Sequence, residues 1–389
     1  AWTVQVTDLG FRAPPCTGGH YFDVYLANTG GNSPSMSFDT WGYTDHAGDC
    51  PFIVMHPDYT FTGNPVGAAQ VTAAHEFQHG IQSGYDWWEG DYWMEATATW
   101  AEDLVYDDVN DYLSYINGSE GWLIYPEYSL TFEDGWHEYG NVIWVKYLSE
   151  NYGGDAVIVD VWTRAMTRDA MDAAADMMEE QGTSLDEGFI DFTVRLVTHD
   201  FEEGELYDDV YWMADHETYP ASGSPMQYLP RELGSNYLSF RPSGDPQDLH
   251  VAFSGTPNDD GNAVTWGLGL VSVTGDTYTY EILEADADGH ASGWVQDLGG
   301  AVDQAFLTIS VLAGDAASTP GVSYAYEATL GEDPVGDDDD DDDDDDASPA
   351  DDDDDDEGEQ GCGCRHDSKA ATPALVGLVG MIALLVRRR

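Results

Sequence analysis

Basic residues and cysteines are both scarce in this chain. Only 12 lysines and arginines accompany 75 aspartates and glutamates, which leaves a formal net charge of −63 at pH 7. Because nucleic-acid binding depends on clustered basic side chains, this balance argues against DNA or RNA as a partner. Such acidity fits a soluble exported protein, and it could draw calcium ions to carboxylate-rich loops.

The four cysteines form no C-x-x-C pair, so the usual pattern of a structural zinc site is missing. Cys16 and Cys50 flank a predicted two-strand unit, and we expect them to form a disulfide in an oxidising compartment; two separate buried thiols are the alternative. The sequence also lacks a signal peptide and begins at Ala1, as a processed or truncated start would.

Apolar and aromatic residues, by contrast, are plentiful. They include 13 tryptophans and 23 tyrosines, enough to build a core through most of the chain. At 389 residues the chain exceeds the size of a single hydrophobic core, so we expect more than one domain.

The C-terminal end combines an apolar run at 374–386 with three final arginines. This pattern predicts a membrane segment or a removable sorting signal, with the rest of the chain outside the membrane. Together with Cys-Gly-Cys-Arg at 362–365, it resembles the C-terminal sorting tail known from myxobacterial proteins as MYXO-CTERM. The resemblance covers 362–389 and implies an exported protein, at the cell surface or extracellular, with a C-terminal membrane or sorting anchor.

Two aspartate runs, at 337–346 and 351–356, precede this tail. Like charges repel one another, so we expect 332–361 to be a disordered, extended spacer without a core.

Residues 221–331 alternate short apolar runs with Gly, Ser, Thr and Asp. The pattern predicts an all-β sandwich that serves as an accessory domain and contains no catalytic constellation. The clearest predicted strands are 237–240, 250–253, 278–282 and 305–309. Four aspartates either occupy solvated turns or bind calcium: Asp245, Asp259, Asp260 and Asp286.

Residues 1–220 have a different, α+β order, with β-like runs at 21–26 and 52–55 followed by helical patterns. Asn64-Pro65 supplies an N-cap and a proline at the first helical position, which predicts a helix over 65–83. Further helices are expected at 92–104, 138–152, 155–165, 169–180 and 186–201.

The first of these helices contains His75-Glu76-Phe77-Gln78-His79. Residues four apart share one face of a helix, so His75 and His79 can bind a single cation. Glu76 is rotated by about 100° from His75, which places it beside the metal as a base rather than on it as a ligand. The alternative is a pair of surface histidines on the helix.

Catalytic zinc requires a third protein ligand, and Glu95 on the next predicted helix is the best candidate. Weaker candidates are Asp86, Glu89, Glu102 and Asp103. No G-x-x-H extension follows His79, so the metal geometry of metzincins does not apply.

The stretch 73–103, with its HEFQH and WMEATATWAED motifs, resembles gluzincin metallopeptidases, specifically exported metalloproteases of hyicolysin-like type. The resemblance implies a zincin-like catalytic domain, in which a small antiparallel or mixed sheet accompanies helices that carry HExxH. It also implies that His75, His79 and Glu95 bind zinc and that Glu76 is the base. Thermolysin-like enzymes have an aspartate four residues after the third ligand, where this chain has Thr99; Glu102 or Asp103 could replace it.

The sequence thus predicts a zinc-dependent endopeptidase that hydrolyses extracellular proteins or peptides. His137 or Tyr139 could stabilise the oxyanion, unless both are core residues. An extended peptide could add to a sheet edge formed by 52–55 or 21–26. Two further interpretations remain open: a catalytically inactive or non-proteolytic cell-surface binding protein with a metal site, and a metal-dependent hydrolase of another substrate. The oligomeric state is not predicted.

Overall fold

The computed structural model describes residues 1–18, 21–27, 40–118, 121–256, 264–312, 321–332 and 386–387. Helices dominate the first part of these residues and strands the second. The α+β class with a sheet-rich second region is therefore confirmed.

The first sheet has three short strands: β1 (Val24–Leu26), β2 (Gly42–Ala47) and β3 (Cys50–Met55). Its order is β1-β3-β2, with β1 parallel and β2 antiparallel to β3. The run at 52–55 is thus the central strand, so the prediction that it forms an open edge is wrong. The predicted Cys16–Cys50 disulfide is confirmed, with 5.4 Å between the two Cα atoms.

Local capping chemistry explains where the helices begin. Asn64 Oδ1 accepts the Gly67 N–H at the start of the first helix, and Ser184 and Glu187 form a reciprocal capping box at the start of the last. The helices are α1 (Pro65–Gln82), α2 (Asp91–Val105), α3 (Leu113–Asn117), α4 (His137–Gly140), α5 (Val142–Asn151), α6 (Ala156–Ala165), α7 (Ala170–Glu180) and α8 (Leu185–Thr198). Short turns of π or 3-10 helix occur at Thr3–Asp8, Asp107–Val109, Trp122–Ile124 and Gly204–Leu206.

The helix predicted at 138–152 is divided into α4 and α5 at Asn141. The Asn141 side chain donates to the Leu130 carbonyl (2.7 Å) and accepts from Trp122 Nε1 (3.0 Å). These contacts anchor the junction to distant parts of the chain.

The second region consists of strands β4 (Ala214–His216), β5 (Ala221–Gly223), β6 (Gly234–Phe240), β7 (Gln247–Gly255), β8 (Trp266–Thr274), β9 (Thr277–Ile282), β10 (His290–Leu298), β11 (Gln304–Val311), β12 (Tyr324–Gly331) and β13 (Val386–Arg387). They form two four-stranded sheets, of order β10-β7-β12-β5 and β11-β8-β9-β13, and a parallel pair β4-β6. Leu249, Val251 and Phe253 of β7 share a hydrophobic core with Leu268 and Leu307.

Helix α8 packs directly on strands β8 and β11. A Cβ atom at Gly267 would lie 2.9 Å from Ile190, and one at Gly269 would lie 2.9 Å from Val194, so both glycines permit the close approach of α8. Thr193 Oγ1 also lies 3.1 Å from Thr308 Oγ1. The helical core therefore continues into the sheet-rich region.

The described residues contain no helix that is both long and apolar enough to cross a membrane. This finding corrects the predicted localisation, in which a C-terminal membrane or sorting anchor holds an exported chain. The run 374–385 and the cysteines and aspartates before it lie outside the described residues, whereas Val386 pairs with Tyr278 of β9. Asp259 and Asp260 also lie outside them, and the domain boundaries remain predictions.

Candidate metal centre

The structure brings together the three side chains that the sequence selects as metal ligands. His75 and His79 project from α1 with their Nε2 atoms 3.1 Å apart. Glu95 Oε2 on α2 lies 3.0 Å from His75 Nε2 and 3.4 Å from His79 Nε2. We call these three residues the imidazole cluster; its geometry could hold a metal ion.

The other ring nitrogen of each histidine faces an oxygen. His75 Nδ1 lies 2.7 Å from Glu102 Oε1, and His79 Nδ1 lies 2.7 Å from Gln82 Oε1. The Gln82 amide nitrogen donates to the Met94 carbonyl (2.9 Å), which fixes the amide oxygen toward His79. Both Nδ1 atoms are therefore donors, and in the neutral rings both Nε2 atoms present lone pairs.

The chemistry of these three side chains fits a metal ion. Two neutral imidazole nitrogens and a carboxylate oxygen are all acceptors, so their convergence requires a cation or an added proton. Tetrahedral zinc with bonds of 2.0–2.1 Å to nitrogen would separate two such nitrogens by about 3.3 Å. The observed 3.1 Å between the two Nε2 atoms is close to that value.

Without a metal, protonation of the histidines reduces the unfavourable contact between these acceptor atoms. Burial alone would lower the pKa of His75, but hydrogen bonds and charges of Glu102 and Glu95 raise it well above the ordinary value. For His79, burial is again opposed, and the charge of Glu95 raises its pKa. Burial would raise the pKa of Glu95, yet His79 and His75 hold it well below the usual range. The cluster thus favours a bound positive charge.

Glu76 lies beside the cluster without belonging to it. The side chain is buried, and Thr44 Oγ1 of β2 lies 2.8 Å from both its Oε2 atom and its backbone carbonyl oxygen. A Cβ atom at position 42 would come within 3.0 Å of the Glu76 side chain, so Gly42 lets β2 pass close to it. The edge strand thereby positions this carboxylate.

Tyr139 reaches the cluster, as one of the two predicted oxyanion-stabilising residues. Its ring stacks on His75, with centroids 5.7 Å apart and planes inclined by 13°. Burial, the charge of Glu95 and a hydrogen bond to it raise the pKa of Tyr139, so the hydroxyl keeps its proton. Tyr115, which the sequence does not indicate, stacks on Tyr139 at 5.0 Å.

His137 does not join them. Its ring packs against Trp122 (6.0 Å), Tyr128 (5.6 Å) and Phe132 (5.8 Å). Burial lowers the pKa of His137 to about 4, and its Nε2 atom has no hydrogen-bond partner in the part of the chain that the structure describes. The proposal of His137 as an oxyanion donor is corrected: it is a core residue.

A second set of ligand-type side chains, the carboxylate cluster, consists of Asp103, Asp107 and Glu203. Here the chain supplies its own cation. Lys146 Nζ lies 2.6 Å from Asp103 Oδ2 and 2.9 Å from Glu203 Oε2.

Asp86 and Glu89, two of the weaker candidates for the third ligand, make contacts away from the imidazole cluster. Asp86 accepts the Trp88 N–H in its own loop, and Glu89 accepts the N–H groups of Gly90 and Ala170.

A family model matches residues 57–297, which is more than half of the chain. The chain belongs to DUF6055, a family of unknown function. The DUF6055 match includes the imidazole cluster, Glu76 and Tyr139, and it continues into the sheet-rich region as far as β10.

No curated protein matches the chain significantly. Among solved structures, the DUF6055 chain matches a family GH115 4-O-methyl-alpha-glucuronidase, BtGH115A, with specificity for decorated arabinogalactans, at 11% identity and a TM-score of 0.18. The match covers 66% of this chain and 42% of that one, and a TM-score this low is not evidence of a shared fold or function.

Proposed function

We propose that this protein is a zinc-dependent endopeptidase of gluzincin type. His75, His79 and Glu95 hold the metal, and Glu76 is the general base. The observation that carries the proposal is the convergence of two Nε2 atoms and one carboxylate oxygen, while both Nδ1 atoms already have acceptors. Two imidazoles and one carboxylate are the ligand set typical of catalytic zinc in peptidases.

In this proposal the metal ligands, Glu76 and Tyr139 each have a separate catalytic role. Zinc bound at this cluster would acidify a water molecule and polarise the scissile carbonyl. Glu76, restrained by Thr44, accepts the proton of the attacking water and returns it to the leaving amine. Tyr139 donates its hydroxyl hydrogen to the substrate oxygen that gains negative charge.

Strand β2 is the edge at which we place the substrate. It forms an outer strand of the first sheet among the described strands, and Thr44 connects it to Glu76. An extended peptide that pairs with β2 would place its backbone next to the base. Such main-chain pairing, beside a helix that carries HExxH, is the arrangement expected of a zincin-like fold.

Glu76 also separates this proposal from that of a non-proteolytic binding protein. Burial of a carboxylate that is not a ligand is costly, and a site that only binds metal has no use for it. The experiment compares zinc-loaded wild-type chain with Glu76→Gln, and with Glu127→Gln as a matched change of a buried glutamate elsewhere.

We expect about one zinc per chain in all three proteins. Wild type and Glu127→Gln should cleave casein or gelatin, whereas Glu76→Gln should lose about 10²–10⁴-fold in rate. Cleavage by Glu76→Gln at the wild-type rate would refute its role as base. Absence of zinc from the wild type would refute the metal site, and zinc without cleavage would favour the binding protein.

A further inference from the structure

A row of aromatic rings leads from the surface to the imidazole cluster. Trp136 is half exposed, at 53%, and its ring centroid lies 6.0 Å from that of Tyr115. Tyr115 stacks on Tyr139 at 5.0 Å, and Tyr139 stacks on His75 at 5.7 Å. We call Trp136, Tyr115 and Tyr139 the aromatic row. At the outer end of the row the Trp136 side chain is accessible to solvent, and the rings of Tyr115 and Tyr139 connect it to His75.

Carboxylates surround this row. Asp111 is half buried in the turn before α3, four residues ahead of Tyr115, and its charge acts on both Tyr115 and Glu102. Its carboxylate has no hydrogen bond or ion pair within the described residues. Partial burial raises the pKa of Asp91, and the charges of the nearby Glu133 and Glu95 raise it further.

No lysine or arginine among the described side chains balances these charges. Every lysine and arginine whose side chain the structure describes is engaged elsewhere, with carboxylates or over aromatic rings. Those paired with carboxylates are Lys146, Arg164, Arg168, Arg195 and Arg241, and those over rings are Arg12 and Arg231. Apart from the histidines of the imidazole cluster, the charged side chains around the aromatic row are therefore acidic, in a chain whose net charge is −63.

We propose that the substrate carries an arginine or lysine side chain near the scissile bond, held by the aromatic row and Asp111. This inference rests on the proposed function and specifies its substrate class. The aliphatic stem packs along the ring of Trp136, and the cation lies over the π face of Tyr115 within reach of the Asp111 carboxylate. An acidic peptide is repelled by the same charges.

The first experiment measures binding, because binding does not require turnover. Zinc-loaded Glu76→Gln chain is titrated by calorimetry with two peptides that differ only in arginine against citrulline, its neutral isostere. We expect the arginine peptide to bind about tenfold more tightly at low ionic strength, and this ratio to fall as salt is added. Equal affinities, or a ratio that salt does not change, would overturn the inference.

The second experiment tests the residues. Asp111→Asn and Trp136→Ala, each combined with Glu76→Gln, should lower the arginine-to-citrulline ratio by at least about threefold. Asp276→Asn is the matched control, since it removes one negative charge from an exposed turn between β8 and β9. An unchanged ratio in both test variants would overturn the assignment.

Cleavage of the same two peptides by wild type distinguishes failure of this inference from failure of the proposed function. A binding preference for arginine without cleavage of either peptide would refute the peptidase and retain the cationic ligand. Cleavage of both peptides with equal kcat/KM and equal binding would retain the peptidase and refute the substrate class.

Discussion

The imidazole cluster and the carboxylate cluster both use α2, which contributes Glu95 to the first and Asp103 to the second. In the carboxylate cluster the Lys146 ammonium already lies between Asp103 and Glu203. Among the described residues, the imidazole cluster has no lysine or arginine in this position. Its two histidines present acceptor nitrogens to the Glu95 carboxylate. Ligand-type residues at short distances are thus not enough to indicate a metal site; the cation that the chain itself supplies has to be counted first.

Removal of one ligand from each cluster gives the largest expected difference. His79→Ala should reduce bound zinc from about one per chain to almost none, because only two ligands remain. Asp107→Asn should leave zinc content unchanged. Both are measured by elemental analysis after dialysis, and loss of zinc from Asp107→Asn would show that the carboxylate cluster binds it.

The Lys146 ammonium, which contacts the carboxylate cluster, should be important for the stability of the fold. Lys146→Met leaves Asp103 buried without its partner, and we expect the free energy of unfolding to fall by about 3–5 kcal/mol. Arg168→Met, which breaks an exposed ion pair with Asp176, should cost at most about 1 kcal/mol. Urea denaturation measures both, and equal losses would contradict the distinction between the pairs.

Glu102 should tune the affinity of the imidazole cluster. Glu102→Gln removes the negative charge that faces His75 Nδ1, and we expect zinc affinity to fall about 10–100-fold in competition with a chelator. Thr99→Ala is the control, since Thr99 occupies the position of the thermolysin-like aspartate but its buried hydroxyl has no partner in the described residues. A larger loss in Thr99→Ala would reverse the assignment.

The smallest expected effect is a change in pH dependence. The pKa of His75 in the metal-free chain is raised above its value in the unfolded chain. The protonated ring therefore stabilises the fold below about pH 6.5, and this contribution is lost as pH rises through the folded pKa. Zinc requires the unprotonated rings, so its stabilising effect should grow over the same range. Thermal unfolding should show that the contribution of protonated His75 to stability falls with rising pH in the metal-free chain, whereas the stabilisation by added zinc increases.

The sequence predicts those features that depend on neighbours along the chain. Helix α1 is predicted at 65–83 and observed at Pro65–Gln82, since its cap lies within Asn64 and Pro65. His75 and His79 can be identified because a spacing of four residues places them on one helix face. Identification of Glu95 as the third ligand requires only the additional assumption that α2 runs antiparallel to α1.

Features that depend on distant packing cannot be predicted in the same way. The division at Asn141 is set by contacts with Leu130 and Trp122, and Gln82 acquires its role only when α2 packs on α1. Strand β8 is not predicted because α8 covers one of its faces and the hydrophobic core of the sheet-rich region covers the other, which removes the alternation of polar and apolar residues. For the same reason the sequence alone cannot show that Tyr139 contacts His75 whereas His137 packs in the core.

The contact between α8 and the second region also has an evolutionary consequence. Arg195 on α8 bonds Asp191 and Asp200, and these two carboxylates accept the hydroxyls of Tyr280 and Tyr278 on β9. Genetic exchange of the sheet-rich region alone would leave these groups without partners and expose the apolar surface of α8. We therefore expect the two regions to be inherited as one unit, which agrees with a family match that runs without interruption from 57 to 297.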